Sequence, residues 1–359
     1  MNLLILTQKV SENDDVLGFM CGWIKEFAAN AKSVTVICLE KRDYVLPQNV
    51  RIFSLGKEKN LKEGVSGAWD RLRYLLNFYR LIWQERRNYD AVFVHMDHIY
   101  VLLGGFFWRF WGKKIAMWYA HGHVSSTLSW AEKLAHIVFT STASGFRLAS
   151  KKLYIVGQGI DMGRFRCETR EAREDGLLKI ISIGRISPVK DYKTLIEAVR
   201  ILTSEGIKLG VKIIGKPPAG EDAYLQELRG KITEYKLGDN FEFLGGIPNM
   251  SISKYLCASD IFVNMSYTGS LDKAILEAMA AEVPVLTCNE ALLDVLREYK
   301  NVLMYKKGDF KELAEKIKGI YQMTREDRSK LGVGLRDIVE RDHGLARLIT
   351  KIIYVFQNN

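Results

Sequence analysis

The feature that most constrains this chain is a pattern that occurs twice: short continuous runs of Val, Ile, Leu and Phe alternate with longer segments of helical periodicity. In the first half the strand-length runs are Asn2–Thr7, Ser33–Leu39, Ala91–Met96, Lys114–Tyr119, His136–Thr140 and Lys152–Val156, with helices expected at Gly18–Ala29 and Ala68–Arg87. A polar, densely charged stretch follows at 161–176 (DMGRFRCETREAREDG). The alternation then restarts with runs at Leu178–Ile183, Leu209–Ile214, Phe241–Leu244, Ile261–Asn264, Val283–Thr287 and Val302–Tyr305. Three helical stretches, Phe310–Met323, Arg325–Arg341 and Leu345–Phe356, close the chain. Runs that are continuous rather than alternating suit parallel strands buried on both faces. Repeated βα units imply parallel sheets with right-handed crossovers. The expected fold is therefore α/β: two doubly wound Rossmann-like domains, residues 1–160 and 177–341, facing a central cleft. The linker is 161–176, and a C-terminal helix at 342–359 is placed to pack back on the first domain. In open α/β sheets ligands bind at the carboxyl ends of the strands, so the cleft is the expected site.

Composition narrows the function classes. The 359 residues suffice for about two domains. With 48% hydrophobic and 26% charged residues, disorder and coiled coil are excluded. The five cysteines (Cys21, Cys38, Cys167, Cys257, Cys288) are scattered and contain no CxxC pair. That argues against a disulfide scaffold and a cysteine zinc site, and for a reducing compartment. The opening MNLLILTQKV has no basic region or small-residue cleavage site, so it reads as a first strand rather than a signal peptide.

Charge is uneven: residues 1–160 hold +8 of the +10 net charge, and all seven tryptophans lie in the first 130 positions. A basic, Trp-rich half suits nucleic acid, an anionic membrane surface or an anionic substrate. No basic–aromatic recognition motif supports nucleic acid. The apolar stretch Val101–Trp108 is followed by Arg109, Phe110, Trp111, Gly112, Lys113 and Lys114, short of the ~18–20 uncharged residues of a spanning helix. Two readings stand: an interfacial element lying on a bilayer, or a helix covering a sheet.

The chemistry-bearing residues fall at strand ends. In ISIGRISPVKDY, Gly184 allows a close turn, and Arg185 and Lys190 lie beside a helix start, where backbone N–H groups already favour anions. Two cations at a helix N-terminus make a diphosphate clamp, with Arg able to bind bidentately; alone, such a loop is also an ordinary solvated turn. In NMSYTGSLDKAILEAMAAEVPV, a strand ends in a Ser/Thr/Gly loop that opens a helix carrying Glu277. A carboxylate there suits the vicinal hydroxyls of a ribose; the alternative is an exposed helix acid. Its neighbours Ala274, Ile275, Leu276, Ala278 and Met279 are apolar, so a buried charge would need a partner.

These segments resemble the donor domain of the retaining GT-B glycosyltransferases, family 4 (glycosyl transferases group 1). The resemblance rests on GRISPVKDYKTLIEA and LEAMAAEVPV, with Ile213-Ile214-Gly215, Phe243-Leu244-Gly245-Gly246, Ala258-Ser259-Asp260-Ile261 and Val156–Asp161 in matching order over roughly residues 150–310. It implies that residues 177–341 bind a nucleotide-sugar donor and residues 1–160 an acceptor. It implies that Arg185 and Lys190 neutralise the leaving diphosphate, and that Glu277 is the second glutamate of an E-x7-E motif, holding the ribose. The first glutamate is replaced by Gly269, with Asp272 a candidate to assume part of its role. Ser270, Leu271 and Lys273 occupy the loop whose amides would face sugar and phosphate. Gly18, Gly184 and Gly215 fall at phosphate- or nucleotide-facing turns, and Leu244 to Ile247 where the base is gripped. His121, after Tyr119-Ala120, matches the histidine that faces the donor sugar. His95, His98, Asp14 and Asp15 are acceptor-side candidates; an alternative for the acidic loop is a solvated cap.

The expected activity is transfer of a sugar from a UDP- or GDP-sugar to a glycan or lipid-linked hydroxyl, with retention, in cell-surface glycan or glycolipid synthesis. No DxD-type sequence occupies a suitable strand end, and two histidines three apart make a weak metal site, so no metal or other cofactor is expected. The expected location is cytoplasmic, peripheral on the inner face of the plasma membrane. Two rival classes share the fold: a nucleotide-sugar 2-epimerase, which needs no acceptor, and a non-catalytic sugar-nucleotide or glycan-binding scaffold.

Overall fold

The computed structural model describes residues 1–59, 67–167, 176–267 and 269–358. The chain divides into two units: 1–161 with 248–250 and 343–359, and 162–247 with 251–342.

The first unit is a seven-stranded parallel sheet. Its strands are β1 (Asn2–Val10), β2 (Ser33–Lys41), β3 (Val50–Ser54), β4 (Ala91–His95), β5 (Lys114–Trp118), β6 (Ile137–Thr140) and β7 (Leu153–Ile155). Their spatial order is β3-β2-β1-β4-β5-β6-β7, so the order reverses between β1 and β4. Both neighbours of β1 pair with it in parallel, from Asn2↔Ser33 to Val10↔Lys41 and from Leu3↔Ala91 to Leu6↔Val94. The expected strands are all present; β3 is additional. It escaped the reading because an edge strand with only partly buried residues shows no apolar run.

Helices α1 (Phe19–Asn30), α2 (Ala68–Glu85), α3 (Ile99–Phe110) and α4 (Ser126–Leu134) cover the sheet. One face packs against Trp23 and Phe27 of α1, together with Leu348, Ile352 and Phe356 of a helix at 345–358. The other packs against Phe78 and Ile82 of α2 and Val101 and Trp108 of α3. The pair Gly104-Gly105 makes α3 possible. A Cβ at Gly104 would lie 2.4 Å from the Trp108 indole, and one at Gly105 3.2 Å from Leu134 of α4. The Trp108 indole N–H donates to the Tyr89 hydroxyl at 3.1 Å, so the ring is fully buried with its one polar atom satisfied.

The second unit is a five-stranded parallel sheet: β8 (Leu178–Ile183), β9 (Leu209–Ile214), β10 (Phe241–Gly245), β11 (Ile261–Asn264) and β12 (Val285–Thr287). Its order is β10-β9-β8-β11-β12, reversing between β8 and β11. The helices are α5 (Tyr192–Ser204), α6 (Asp222–Glu234), α7 (Ile252–Cys257), α8 (Lys273–Ala280), α9 (Leu293–Leu296), α10 (Lys300–Leu303), α11 (Phe310–Gln322) and α12 (Arg325–His343). A last helix, α13 (Leu345–Asn358), lies in the first unit.

Three expectations are corrected here. The run Val302–Tyr305 is not a strand: its first residues end α10, and it meets the sheet through an isolated bridge, Thr287↔Met304, and the Tyr305 hydroxyl, which donates to the Asn264 carbonyl at 3.2 Å. Four apolar residues cannot separate a strand from a buried turn of helix. The run from Val283 enters the ladder only at Val285, past Pro284, which has no N–H to give. Finally, Cys167 and Cys257 form a disulfide across 90 residues of sequence. Local spacing cannot reveal such a pair. Cys21, Cys38 and Cys288 are free and buried. Of the expected linker, residues 168–175 lie outside the described residues, whereas 162–165 are fixed by Arg336. Its guanidinium donates to the carbonyls of Met162 at 3.0 Å and Phe165 at 3.1 Å, and to that of Ala280.

Candidate active site

In the second unit the expected donor residues converge where the strand order reverses, the place at which α/β sheets bind ligands. Gly184 follows β8, and the Lys190 side chain lies over it: a Cβ at Gly184 would stand 3.2 Å from Lys190 Cε. The Lys190 ammonium reaches the Asp272 carboxylate, which follows the adjacent β11 and caps α8. Asn264, the last residue of β11, donates to the same carboxylate at 3.1 Å. The Lys190 and Asp272 side chains are mostly buried, 13% and 15% exposed, whereas Arg185 is exposed on the loop.

The two loops are tied together. The Tyr267 N–H donates to the Val189 carbonyl at 3.0 Å, and its hydroxyl to Asp191. Asp191 sits in the left-handed region at φ 42°, which costs a non-glycine residue free energy. The Tyr267 hydroxyl and the Thr194 hydroxyl, at 2.6 Å, hold it there. Burial and the Asp191 carboxylate push the Tyr267 phenol well above its ordinary pKa, so it remains a donor. Lys307 stands 3.9 Å above the Tyr267 ring.

Gly215, after β9, has φ 148°, and a Cβ there would lie 1.9 Å from the Gly184 carbonyl oxygen. The two turns thus touch backbone to backbone, which requires glycine. Leu244 and Ile247 flank the turn after β10, half-buried, with Gly245 at φ 70°. Glu277 is buried in the second turn of α8, which overturns the alternative of an exposed helix acid. Leu271 is also buried, so only its backbone is available to a ligand. The Ser270 carbonyl accepts from the Asn289 amide at 2.8 Å, and Lys273 opens α8. Thr268 of the same loop lies outside the described residues.

The first unit has its own cluster at its own reversal point. Gln8, near the end of β1, donates to Asp97 after β4, and the other Asp97 oxygen accepts from the Ile99 N–H at 3.1 Å, starting α3. His98 hydrogen-bonds the Thr127 hydroxyl at 2.9 Å, and its ring meets Tyr119 edge-on at 5.7 Å. Burial lowers the His98 pKa against the raising effect of Asp97, which keeps the ring neutral at pH 7. His121 is exposed on the loop after β5; its Nδ1 accepts from the His123 N–H at 3.1 Å, and its ring lies 6.4 Å from Tyr119.

Two acceptor-side expectations, His95 and Asp14, and one donor-side expectation, Gly18, change in detail. His95 is buried against Trp23 and Phe19, at 5.4 and 5.8 Å, and belongs to the core. Asp14 is not open to a hydroxyl: one oxygen accepts from the N–H groups of Val16 and Leu17, and the other pairs with Lys9 at 2.8 Å. Burial would raise its pKa, but these contacts outweigh it and hold the carboxyl below its usual range. Gly18 is covered by this loop; a Cβ there would meet the Asp14 carbonyl at 2.6 Å. Asp15 is exposed on the same loop. Gln8, Asp97 and Tyr119 in the first unit, and Asn264, Tyr267 and Asp191 in the second, were not singled out from sequence. Their strand-end positions were the only available signal.

Comparison with known proteins fits this arrangement. The family described as "Glycosyl transferases group 1" matches residues 167–333. The two parallel-sheet α/β units match glycosyltransferase structures of the GT-B fold. Among curated relatives, the chain is 27% identical over 199 residues to WcaL of Escherichia coli K12, a proposed colanic acid biosynthesis glycosyltransferase. That alignment covers 54% of this chain and 48% of WcaL. It is 25% identical over 224 residues to the capsular polysaccharide biosynthesis glycosyltransferase CapM of Staphylococcus aureus, covering 57% of this chain and 53% of CapM. The chain spans about half the length of the curated relatives it matches. Among solved structures, Anabaena HepE in complex with UDP and glucose superposes over 100% of both chains with TM-score 0.76 at 16% identity. At that identity the likeness is one of fold.

Proposed function

We propose that the protein transfers a sugar from a nucleoside diphosphate sugar to a hydroxyl of a surface polysaccharide or of its lipid-linked precursor, with retention at the anomeric carbon and without a metal. The observation that carries this reading is Lys190, lying over Gly184 and beside the N-terminus of α8 at the strand-order reversal, with Arg185 exposed on the same loop. Further support comes from the relatives named for polysaccharide biosynthesis and from the UDP bound by HepE. A UDP-sugar is the preferred donor, a GDP-sugar the alternative.

The chemistry follows from charge. As the bond between the anomeric carbon and the diphosphate oxygen breaks, negative charge builds on the leaving group. Arg185, Lys190 and the positive end of the α8 dipole stabilise it. The acceptor oxygen forms the new bond on the same face, and its proton passes to the departing diphosphate. In this reading the cations do the work a divalent ion would otherwise do. Glu277 accepts from the ribose hydroxyls, and His121 faces the sugar. Gln8, Asp97 and His98 orient the acceptor. The site of action is the inner face of the plasma membrane, with contact to anionic lipid; among the described residues no helix is long and apolar enough to cross a membrane.

The test is nucleotide release from UDP-, GDP- and ADP-sugars with and without glycan acceptors. Acceptor-dependent release that falls about 10²–10³-fold in Arg185→Ala supports the reading. Gly269 in place of an acid favours a second reading, a non-catalytic binder. Nucleotide binding without release from any donor would select that reading, and turnover of the donor alone would select an epimerase.

A further inference from the structure

Helices α2 and α3 bury one side against the sheet and present an apolar outer side as well. On α2, Trp69, Leu72, Leu76 and Trp83 are exposed at spacings of three, four and seven residues, which places them on one stripe. On α3, Ile99, Phe106 and Phe110 form a like stripe at spacings of seven and four, with Phe107 beside it and Phe110 81% exposed. The stripes join through the ring contacts Tyr79–Phe107 at 5.7 Å and Trp83–Trp111 at 5.8 Å, which line a groove of about 450 Å³. Isolated exposed apolar residues are ordinary; a continuous aromatic surface on a folded domain marks an interaction site.

The charges on this surface identify its partner. The two acids of α2 are engaged, Asp70 with Arg73 at 3.2 Å and Glu85 with Arg51 at 2.7 Å, and α3 contains no acid. Arg80, Arg87 and Arg109 are exposed beside the aromatic stripe, and Arg86 stacks on Trp83 at 4.2 Å. An apolar, aromatic face framed by arginines, on helices not long and apolar enough to span, is complementary to an anionic bilayer, whose acyl boundary takes the rings and whose headgroups take the guanidiniums.

We propose that the α2–α3 face of the first unit docks on anionic membrane, with Trp69, Trp83, Phe106 and Phe110 as the inserting side chains. This deepens the membrane element of the function proposed above and is independent of its donor chemistry. It also moves the contact away from part of the 101–114 segment, because Trp108 is wholly buried and Trp111 half-buried. The rings that reach out lie partly on α2, which the sequence pattern did not distinguish.

The experiment is sedimentation of the whole protein with vesicles of phosphatidylcholine containing about one third phosphatidylglycerol, or none. Binding is expected only with the anionic lipid, weakening at about 0.5 M salt, where the screening length is only a few ångströms. Trp69→Ala/Trp83→Ala/Phe110→Ala should lower partitioning at least tenfold, and each of Arg80→Gln and Arg87→Gln about fivefold. All five positions are solvent-facing, so unfolding transitions should not move. Tyr354→Ser, at an exposed ring on α13, should bind as the parent does. Failure of the parent to bind anionic vesicles at low salt overturns the proposal, as does retention of binding in the triple variant. A concentration-dependent dimer abolished by the triple variant would instead assign the face to a second copy. Nucleotide affinity measured on the same variants separates this outcome from any failure of the transferase reading.

Discussion

Replacing Lys190 by alanine tests whether its charge serves a ligand or merely the fold. Lys190 and Asp272 are 13% and 15% exposed, so the pair is nearly buried. Removing one partner of a fully buried pair costs about 3–5 kcal/mol. With residual solvent access, and with Asn264 still donating to Asp272 at 3.1 Å, about half of that, ~2 kcal/mol, is expected here. Asp272→Asn in the same chain removes the stranded charge and should return about 1–2 kcal/mol of stability. Turnover should behave differently. If Lys190 neutralises a leaving diphosphate, its loss raises the barrier by about 3–4 kcal/mol, or 10²–10³ in rate, and neutralising Asp272 does not replace a cation. Denaturant unfolding and nucleotide release, measured on the two single variants and the double, complete the cycle. Recovery of turnover along with stability in the double variant would refute the reasoning and leave Lys190 a structural residue.

Gly215→Ala should destabilise the second unit by at least about 3 kcal/mol, because the new Cβ would lie 1.9 Å from a backbone oxygen that cannot rotate away; a soluble variant with parental unfolding would contradict the packing described. Glu277→Gln keeps the shape of a buried side chain and should weaken nucleoside diphosphate binding by about 1–3 kcal/mol, read by calorimetry. Asp14→Asn should cost about 1–2 kcal/mol at neutral pH. Because the folded pKa of Asp14 is depressed, its contribution is complete above the unfolded value near pH 4 and is lost as pH falls through the lower, folded value. The gap between Asp14→Asn and its parent in denaturant titrations should therefore be constant above that point and close below it.

The fold was legible because its information is local. Buried parallel strands announce themselves as continuous Val/Ile/Leu runs, and β1, β2, β4, β5, β8, β9 and β11 were all visible that way. At β3, where burial is partial and the run is broken by Arg51, the signal disappears, and at Val302–Tyr305 it misleads. Of the candidate site, the sequence marks the glycine and the charges that sit at a strand end, Gly184, Arg185 and Lys190. What sequence could not supply is pairing across distance. The Lys190–Asp272 contact spans 82 residues and Gln8–Asp97 spans 89, and each joins two strands that become neighbours only once the sheet order reverses. The Cys167–Cys257 bridge was hidden for the same reason. His95 shows the opposite error: a histidine at a strand end looks functional until its ring is found between Trp23 and Phe19.

The replacement of an expected glutamate by Gly269 gains a physical meaning from its backbone. Gly269 has φ 63°, a conformation that glycine takes freely and that other residues adopt only at a cost of about 1 kcal/mol or more. The loop at this point uses its backbone, not a side chain. The nearest acid in sequence, Asp272, is fully employed in the free protein: it pairs with Lys190, accepts from Asn264 and caps α8 through the Ala274 N–H at 3.4 Å. A donor diphosphate that takes Lys190 would therefore exchange one ion pair for another, and would leave that Asp272 oxygen with Asn264 as its donor and one acceptor position for a sugar hydroxyl. Nucleotide affinity then includes the cost of separating Lys190 from Asp272, whereas sugar selectivity depends on that acceptor position. Asp272→Asn should accordingly bind the bare nucleoside diphosphate as tightly as the parent or tighter. It should also lose discrimination among sugars by about tenfold, the value of one charge-assisted hydrogen bond. Calorimetry with the nucleotide and a competition between two donors that share a base would measure the two effects separately. Weaker nucleotide binding with unchanged sugar preference would show that Asp272 serves only to position Lys190.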